Sequence, residues 1–231
     1  MFRFKQFSIL QEQAAMKVGT DGVLLGAWCS IEKVNTVLDI GTGTGLIALM
    51  LAQKSSKVRV DAVEIEAAAA EEAKQNFINS NWSDRLNLYL SSLQEFKPNK
   101  TYDFIASNPP YYTDTFSSEQ TQRTLARHVA SLSFRELLRI CVGLLNNTGS
   151  CAFIIPYKEE LGFIALAKEV GLFICKITRV KGREDLPFKR SLLCFNKTKE
   201  INLVDELIVE VDRHVYTDKY IALTQEFYLK M

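Results

Sequence analysis

Cysteine is sparse in this chain and histidine nearly missing: 231 residues carry five of the first and two of the second. The cysteines (Cys29, Cys141, Cys151, Cys175 and Cys194) are scattered, odd in number and never spaced Cys-x-x-Cys. That argues against both a disulfide framework and a structural zinc, and suits a reducing cytoplasm. No apolar run reaches the roughly 18 residues needed to span a bilayer, and Arg3 and Lys5 lead into no signal-like apolar core, so a soluble cytoplasmic protein is expected. Internal repeats, low-complexity tracts and linkers are also missing. Neither sign of charge is in excess, since 28 basic and 27 acidic residues leave a net charge of +1. Any nucleic-acid binding must then come from a local patch. What is present is ordinary for a folded protein: 47% hydrophobic and 24% charged residues, in a chain long enough for one large α/β domain with a substantial core. The expected organisation is a single domain over 1–231, with a hairpin and helix in 1–35 and the core in 36–231.

Aromatic and polar residues alternate over Phe2-Arg3-Phe4-Lys5-Gln6-Phe7-Ser8-Ile9, which predicts a hairpin or lid edge. A helix is expected from Thr20 or Asp21, either of which could cap it; its first N–H groups, if uncapped, could instead hold a carboxylate. Thr36-Val37-Leu38-Asp39-Ile40 reads as a buried strand that runs into Gly41-Thr42-Gly43-Thr44-Gly45 and then a helical stretch from Leu46. Alternating glycines at such a junction let the backbone turn sharply and approach a ligand. A dinucleotide fingerprint wants Gly-x-Gly-x-x-Gly, and here the third glycine comes one residue early. Asp39 would repel a pyrophosphate and attract an ammonium group, so the turn suits a ligand bearing a cation and an adenosine rather than NAD. The next strand, Val58 to Glu64, ends in an acid 23 residues beyond Gly41, the interval at which such a group reaches ribose hydroxyls; Glu66 is the alternate. A helix over Ala67–Asn79 and a strand over Leu86–Leu90 follow.

The apolar run Tyr102-Asp103-Phe104-Ile105-Ala106-Ser107 predicts a buried parallel strand, stopped by Asn108-Pro109-Pro110-Tyr111. Two prolines in succession give no N–H to a ladder, so the strand ends and nearby carbonyls are left free. At the carboxyl edge of an α/β sheet, an Asn amide, a proline carbonyl and a phenol make two acceptors and a stacking platform for a flat group bearing NH2. A turn that merely ends a strand is the other reading of these residues.

Asp39 to Gly45, then Glu64, then Asn108 to Tyr111 together resemble the motif series of class I S-adenosylmethionine-dependent methyltransferases that modify amino nitrogens. Lys17-Val18-Gly19-Thr20-Asp21-Gly22-Val23-Leu24-Leu25-Gly26-Ala27-Trp28 and the tail from Tyr216 to Leu229 are similar to the bacterial tRNA adenine-N6 methyltransferases that act beside the anticodon of a valine tRNA. The resemblance implies a doubly wound, mostly parallel, seven-stranded Rossmann-like sheet, with S-adenosylmethionine as cofactor, tRNA as partner and no metal. It implies a cofactor site formed by Thr20, Asp39, Gly41, Thr42, Gly43, Gly45, Glu64, Ile65, Ser92, Leu93 and Asn108, and a catalytic set of Asn108, Pro109, Pro110 and Tyr111. An acid often found at the third strand end is replaced here by Ser91 and Ser92, so a hydroxyl or N–H at Ser92 or Leu93 would meet the cofactor's adenine. A monomer is the favoured state.

Between Tyr112 and Ser131 the chain is polar, with Arg123, Arg127 and His128, and reads either as a binding loop or as a solvated helix. A helix capped by Ser133, a strand over Ser150–Ile155, a helix over Lys158–Val170 and a closing strand pair, Cys175–Val180 and Ser191–Phe195, complete the pattern. Six basic residues (Lys176, Arg179, Lys181, Arg183, Lys189 and Arg190) stand against Glu184 and Asp185, and read as a phosphate grip or as ordinary hairpin charges. Two other functions fit the Asn-Pro-Pro-Tyr set: methylation of a glutamine amide in a release factor, and a cofactor-binding partner without turnover. Only about 40 residues precede the glycine turn, too few for the helical domain usual in the glutamine enzymes, which favours RNA.

Overall fold

The computed structural model describes residues 1–110, 132–199 and 203–230. Its centre is an eight-stranded sheet, built from β3 (Thr36–Ile40), β4 (Arg59–Glu64), β5 (Leu86–Leu90), β6 (Tyr102–Ser107), β7 (Leu145–Pro156), β8 (Phe173–Lys181), β9 (Arg190–Asn196) and β10 (Leu203–Ile208). The strand order is β10-β8-β9-β7-β6-β3-β4-β5, and only β9 runs against its neighbours. The expected seven strands therefore become eight. The addition is β10, which pairs in parallel with β8 from Leu203 opposite Lys176 to Ile208 opposite Lys181. Two acids in its middle and four exposed residues make it an edge strand, where only one face and one ladder are needed.

Successive residues along the central strands point into two separate cores, as a pleat of period two requires. Phe104, Ala106, Ala152 and Ile154 face a layer that holds α1 (Thr20–Trp28) and α2 (Leu46–Lys54). Ile105, Cys151, Phe153 and Ile155 face the opposite layer, with α4 (Phe134–Leu144) and α5 (Glu160–Glu169). Burial on both faces explains why these strands read as continuous apolar runs. α3 (Ala67–Ile78) joins the first layer through Ala73 and Phe77, and α6 (Asp218–Thr224) joins it through Tyr220.

The N-terminal hairpin is present as β1 (Phe2–Arg3) and β2 (Ser8–Ile9), and Phe4 bridges to Tyr228. A second small hairpin, β11 (Glu210–Asp212) with β12 (Val215–Tyr216), precedes α6. Among the described residues no helix is long and apolar enough to cross a membrane.

The chain leaves β3, adds β4 and β5 on one side, then returns to lay β6 on the other side of β3. This reversal opens a crevice beyond the carboxyl ends of β3 and β6, where ligands bind in doubly wound sheets.

Candidate active site

Ile40 at the end of β3 lies directly opposite Ser107 at the end of β6, and the Ser107 hydroxyl donates to the Ile40 carbonyl at 2.9 Å. The glycine turn and the Asn108-Pro109-Pro110 segment thus leave the sheet at one level, on strands about 4.8 Å apart. Pro109 is buried, Pro110 exposed and Asn108 in between. Tyr111, Arg123, Arg127 and His128 lie outside the described residues.

The turn is held from three sides. Gly41 and Thr42 donate to the Val63 carbonyl at 2.9 and 3.1 Å, tying the turn to β4. Gly41, Gly43 and Gly45 have φ of 67°, 57° and 85°, the left-handed region that side chains resist. A Cβ at Gly45 would stand 2.5 Å from Phe77 Cε1, whereas one at Gly41 or Gly43 would meet no atom of the other described residues within 4 Å. The first two glycines therefore border open space, and the third is pressed into the core.

Asp39 is fully buried. Its Oδ2 accepts from the Thr42 hydroxyl at 2.6 Å and from Ala48 N–H at 3.1 Å, while Oδ1 has no hydrogen-bond partner. Burial pushes its carboxyl up to about 7, against the pull of those two hydrogen bonds. A buried carboxylate oxygen without a donor is costly, and an arriving ammonium group would satisfy it.

Glu64, also buried, accepts from Gly43 N–H at 2.8 Å through Oε2, and from Ile65 and Glu66 N–H at 2.9 Å each through Oε1. Three of about four acceptor sites on the carboxylate are thereby filled, which leaves room for about one further hydroxyl. Its larger structural work is to brace the turn. Ile65 beside it is 65% exposed, an apolar surface at the strand tip with room for a flat ring.

At the tip of β5 the Ser92 hydroxyl is already committed. It donates to Glu95 Oε2 at 2.9 Å and accepts Glu95 N–H at 3.2 Å, one half of a capping box, since the Glu95 carboxylate takes the hydroxyl and not the Ser92 N–H. Leu93 is buried in the core. What this tip still offers is the N–H groups of Ser92 and Leu93, beside Ser91, whose hydroxyl donates to the Ser92 carbonyl.

Thr20 and Asp21 do not cap α1. The cap position is Gly19, whose backbone is extended and which has no side chain to offer. Asp21 instead binds Arg190 Nε at 2.7 Å, across to β9. A Cβ at Gly22 would come 3.0 Å from Leu46 Cδ2, which sets the first turn of α1 against the first turn of α2, next to the glycine turn.

Two site-forming residues gave no motif signal. Glu72 receives the N–H groups of Glu12, Gln13 and Ala14 at 2.5, 2.7 and 2.9 Å, and these bonds hold its carboxyl below the usual range although burial opposes them. Asn76, one helical turn on, donates to Thr44 O at 2.9 Å and Leu10 O at 3.0 Å and accepts from Leu10 N–H at 2.7 Å. Together they dock residues 10–14 beside the glycine turn. An acid and an amide four apart on one face of an Ala-rich helix was the available signal.

The basic cluster is mostly neutralised, by two carboxylates of its own and two from elsewhere in the chain. Arg179 pairs with buried Glu160 at 2.7 Å, Arg190 with Asp21 at 2.7 Å, Lys181 with Glu184 at 3.0 Å and Arg183 with Asp185 at 3.4 Å. Four of the six cations are thereby spoken for, which leaves a weaker phosphate grip than the sequence promised.

Residues 19–138 match the family model of the methyltransferase small domain. The tRNA1(Val) (adenine(37)-N6)-methyltransferase of Flavobacterium psychrophilum is 53% identical to this chain, with all of both chains covered. That of Trichodesmium erythraeum is 45% identical over 99% of this chain and 98% of its own. Among solved structures, a predicted O-methyltransferase of Agrobacterium tumefaciens superposes with a TM-score of 0.70 at 18% identity, covering 90% of this chain and 96% of that one, a likeness of fold.

Proposed function

We propose, because the chain belongs to the methyltransferase small-domain family and within it to the tRNA1(Val) (adenine(37)-N6)-methyltransferases, that it methylates the N6 amine of an adenine beside the anticodon of a valine tRNA. S-adenosylmethionine, when bound, supplies an electrophilic methyl group on a sulfonium. The observation that carries the reading is the level alignment of the glycine turn with Asn108-Pro109-Pro110 on adjacent strands.

In this reading Gly41 and Gly43 give the cofactor an open backbone surface, and Asp39 Oδ1 takes its ammonium. Glu64 accepts one ribose hydroxyl while bracing Gly43, and Ile65 underlies the adenine. The N–H groups of Ser92 and Leu93 meet the edge of that ring. Thr20 and the first N–H groups of α1, whose Gly22 packs on Leu46 at the start of α2, receive the carboxylate. Thr42 and Gly45 keep the turn in shape through Asp39 and Phe77.

An adenine amine is a poor nucleophile, because its lone pair is delocalised into the ring. The Asn108 side-chain oxygen and the Pro109 carbonyl each accept one of its N–H groups, fixing the nitrogen with its lone pair directed at the methyl. These acceptors strengthen as positive charge builds on nitrogen, so they favour the transition state over the ground state. Pro110 holds the segment rigid, and Tyr111 stacks on the base once it has left its neighbours. The proton leaves to water after transfer.

Incubation with methyl-labelled cofactor and either total tRNA or a release factor tests this. Label in tRNA, recovered after digestion as N6-methyladenosine, is the expected result. Label in the release factor would establish glutamine methylation instead, and label in neither would point to a partner without turnover.

A further inference from the structure

Beyond the tip of β7, the strand next to β6, two rings stand together outside the site described above. Tyr157 directly follows β7 and Phe188 directly precedes Lys189 and β9; their ring centroids are 5.2 Å apart at 49°. The backbone locks them there, since Tyr157 N–H donates to Lys189 O at 3.1 Å and Lys189 N–H to Val180 O at 2.8 Å. The Arg179 guanidinium lies 5.7 Å from the Tyr157 ring and the Lys181 ammonium 5.6 Å from that of Phe188. Both cations are fixed by carboxylates, Arg179 by buried Glu160. Tyr157 is nevertheless 37% exposed. An aromatic ring braced by a second ring and a cation, and left open to solvent, presents a rigid flat face of the kind on which bases stack.

Its position relates it to the reacting amine. Phe153 pairs with Ser107, so Tyr157 stands three residues beyond the level of Asn108, about 10 Å further along the strand direction. A stacked duplex strand rises about 3.4 Å per nucleotide and an unpaired strand spans more, so 10 Å is at most about three nucleotides. Around the rings the free charge is small. Exposed Lys158 and Lys189 add two cations, and Glu159 stands 3.8 Å from the first of them. A duplex would need a longer row of phosphate contacts than this. A single unpaired base needs one flat surface and one or two cations.

We propose that Tyr157, backed by Phe188, is a stacking shelf for an unpaired base of the RNA within about three nucleotides of the methylated adenine, with Lys189 on the adjoining phosphate. This rests on the reading of the site as an RNA adenine methyltransferase.

The test is steady-state methylation of tRNA by the full-length protein and its Tyr157→Ala, Tyr157→Leu and Tyr157→Phe variants, with thermal unfolding of each as a control. Loss of one stacked base corresponds to about a 5- to 150-fold rise in KM for tRNA. Tyr157→Ala and Tyr157→Leu should both show it, with kcat and the KM for cofactor within about threefold of wild type. Tyr157→Phe keeps the ring and should stay within about twofold. Lys189→Ala should reduce the salt dependence of KM by about 0.7 in log-log slope, the share of one single-strand phosphate. An unchanged KM in Tyr157→Leu, or a Phe variant as impaired as the Ala variant, would overturn the shelf while leaving adenine methylation intact. Failure of the wild type to methylate tRNA at all would remove the underlying reading, and the shelf with it.

Discussion

Alanine at Gly43 and alanine at Gly45 should fail in opposite ways. Both residues have positive φ, so either substitution carries about 1–2 kcal/mol of left-handed strain. At Gly45 the new methyl would also lie 2.5 Å from Phe77 Cε1, on a ring only 3% exposed, and overpacking of that kind adds about 1–3 kcal/mol. Gly45→Ala should therefore lose about 2–5 kcal/mol and Gly43→Ala about 1–2, with the gain from a stiffer unfolded chain cancelling between them. Cofactor affinity should follow the reverse order. The Gly43 methyl would enter space with no atom of the other described residues within 4 Å, the space assigned to the cofactor. Gly43→Ala should then weaken S-adenosylhomocysteine binding by about tenfold or more, a loss of about 1.4 kcal/mol. Urea unfolding gives the first quantity and titration calorimetry the second. If Gly43→Ala binds within twofold of wild type, or is as destabilised as Gly45→Ala, the assignment of open and packed sides of the turn is wrong.

Cofactor binding should be pH-dependent through Asp39. Its carboxyl, lifted to about 7 by burial, must be ionised to pair with an ammonium, so Kd should fall by up to about tenfold per unit as pH rises toward 7 and then level off. Asp39→Asn should flatten the profile; a wild-type Kd constant from pH 5.5 to 8 would exclude the pairing. Glu72→Ala strands three N–H groups and should cost about 2–3 kcal/mol, with faster hydrogen exchange concentrated in residues 10–14; uniform loss of protection would show that Glu72 only supports α3. Asn108→Ala should lower kcat by about 100- to 1,000-fold with cofactor Kd within a few-fold, and an equal loss in both would reduce Asn108 to a wall of the pocket.

The strands nearest the site were legible to the residue because the chain punctuates them. β3, β5 and β6 end where expected, at a glycine turn, a serine pair and a double proline. The Ser133 cap on α4 is also as read, its hydroxyl accepting from Glu136 N–H at 3.2 Å. What stayed hidden was set by distant residues. β7 extends back to Leu145 because it pairs there with Tyr102, across an irregularity that local pattern does not show. β10 carries Asp205 and Glu206 in its middle and depends on β8 for its ladder. Asp21 seemed a cap, but Arg190, 169 residues away, competes for it and wins with a charged hydrogen bond. The same long-range pairing took Arg179, since a carboxylate 19 residues away is invisible to a count of local charge, whereas Lys181 and Arg183 are held by the neighbouring Glu184 and Asp185 that such a count includes.

The most direct test of the central claim is the structure of the protein with S-adenosylhomocysteine and an adenosine-bearing RNA. The account predicts the adenine N6 about 2.7–3.2 Å from the Asn108 side-chain oxygen and from the Pro109 carbonyl, aligned with the sulfur so that a transferable methyl would lie about 3–3.5 Å from the nitrogen. An amine held by other residues, with Asn108 turned away and the sulfur on the far side of the glycine turn, would contradict it.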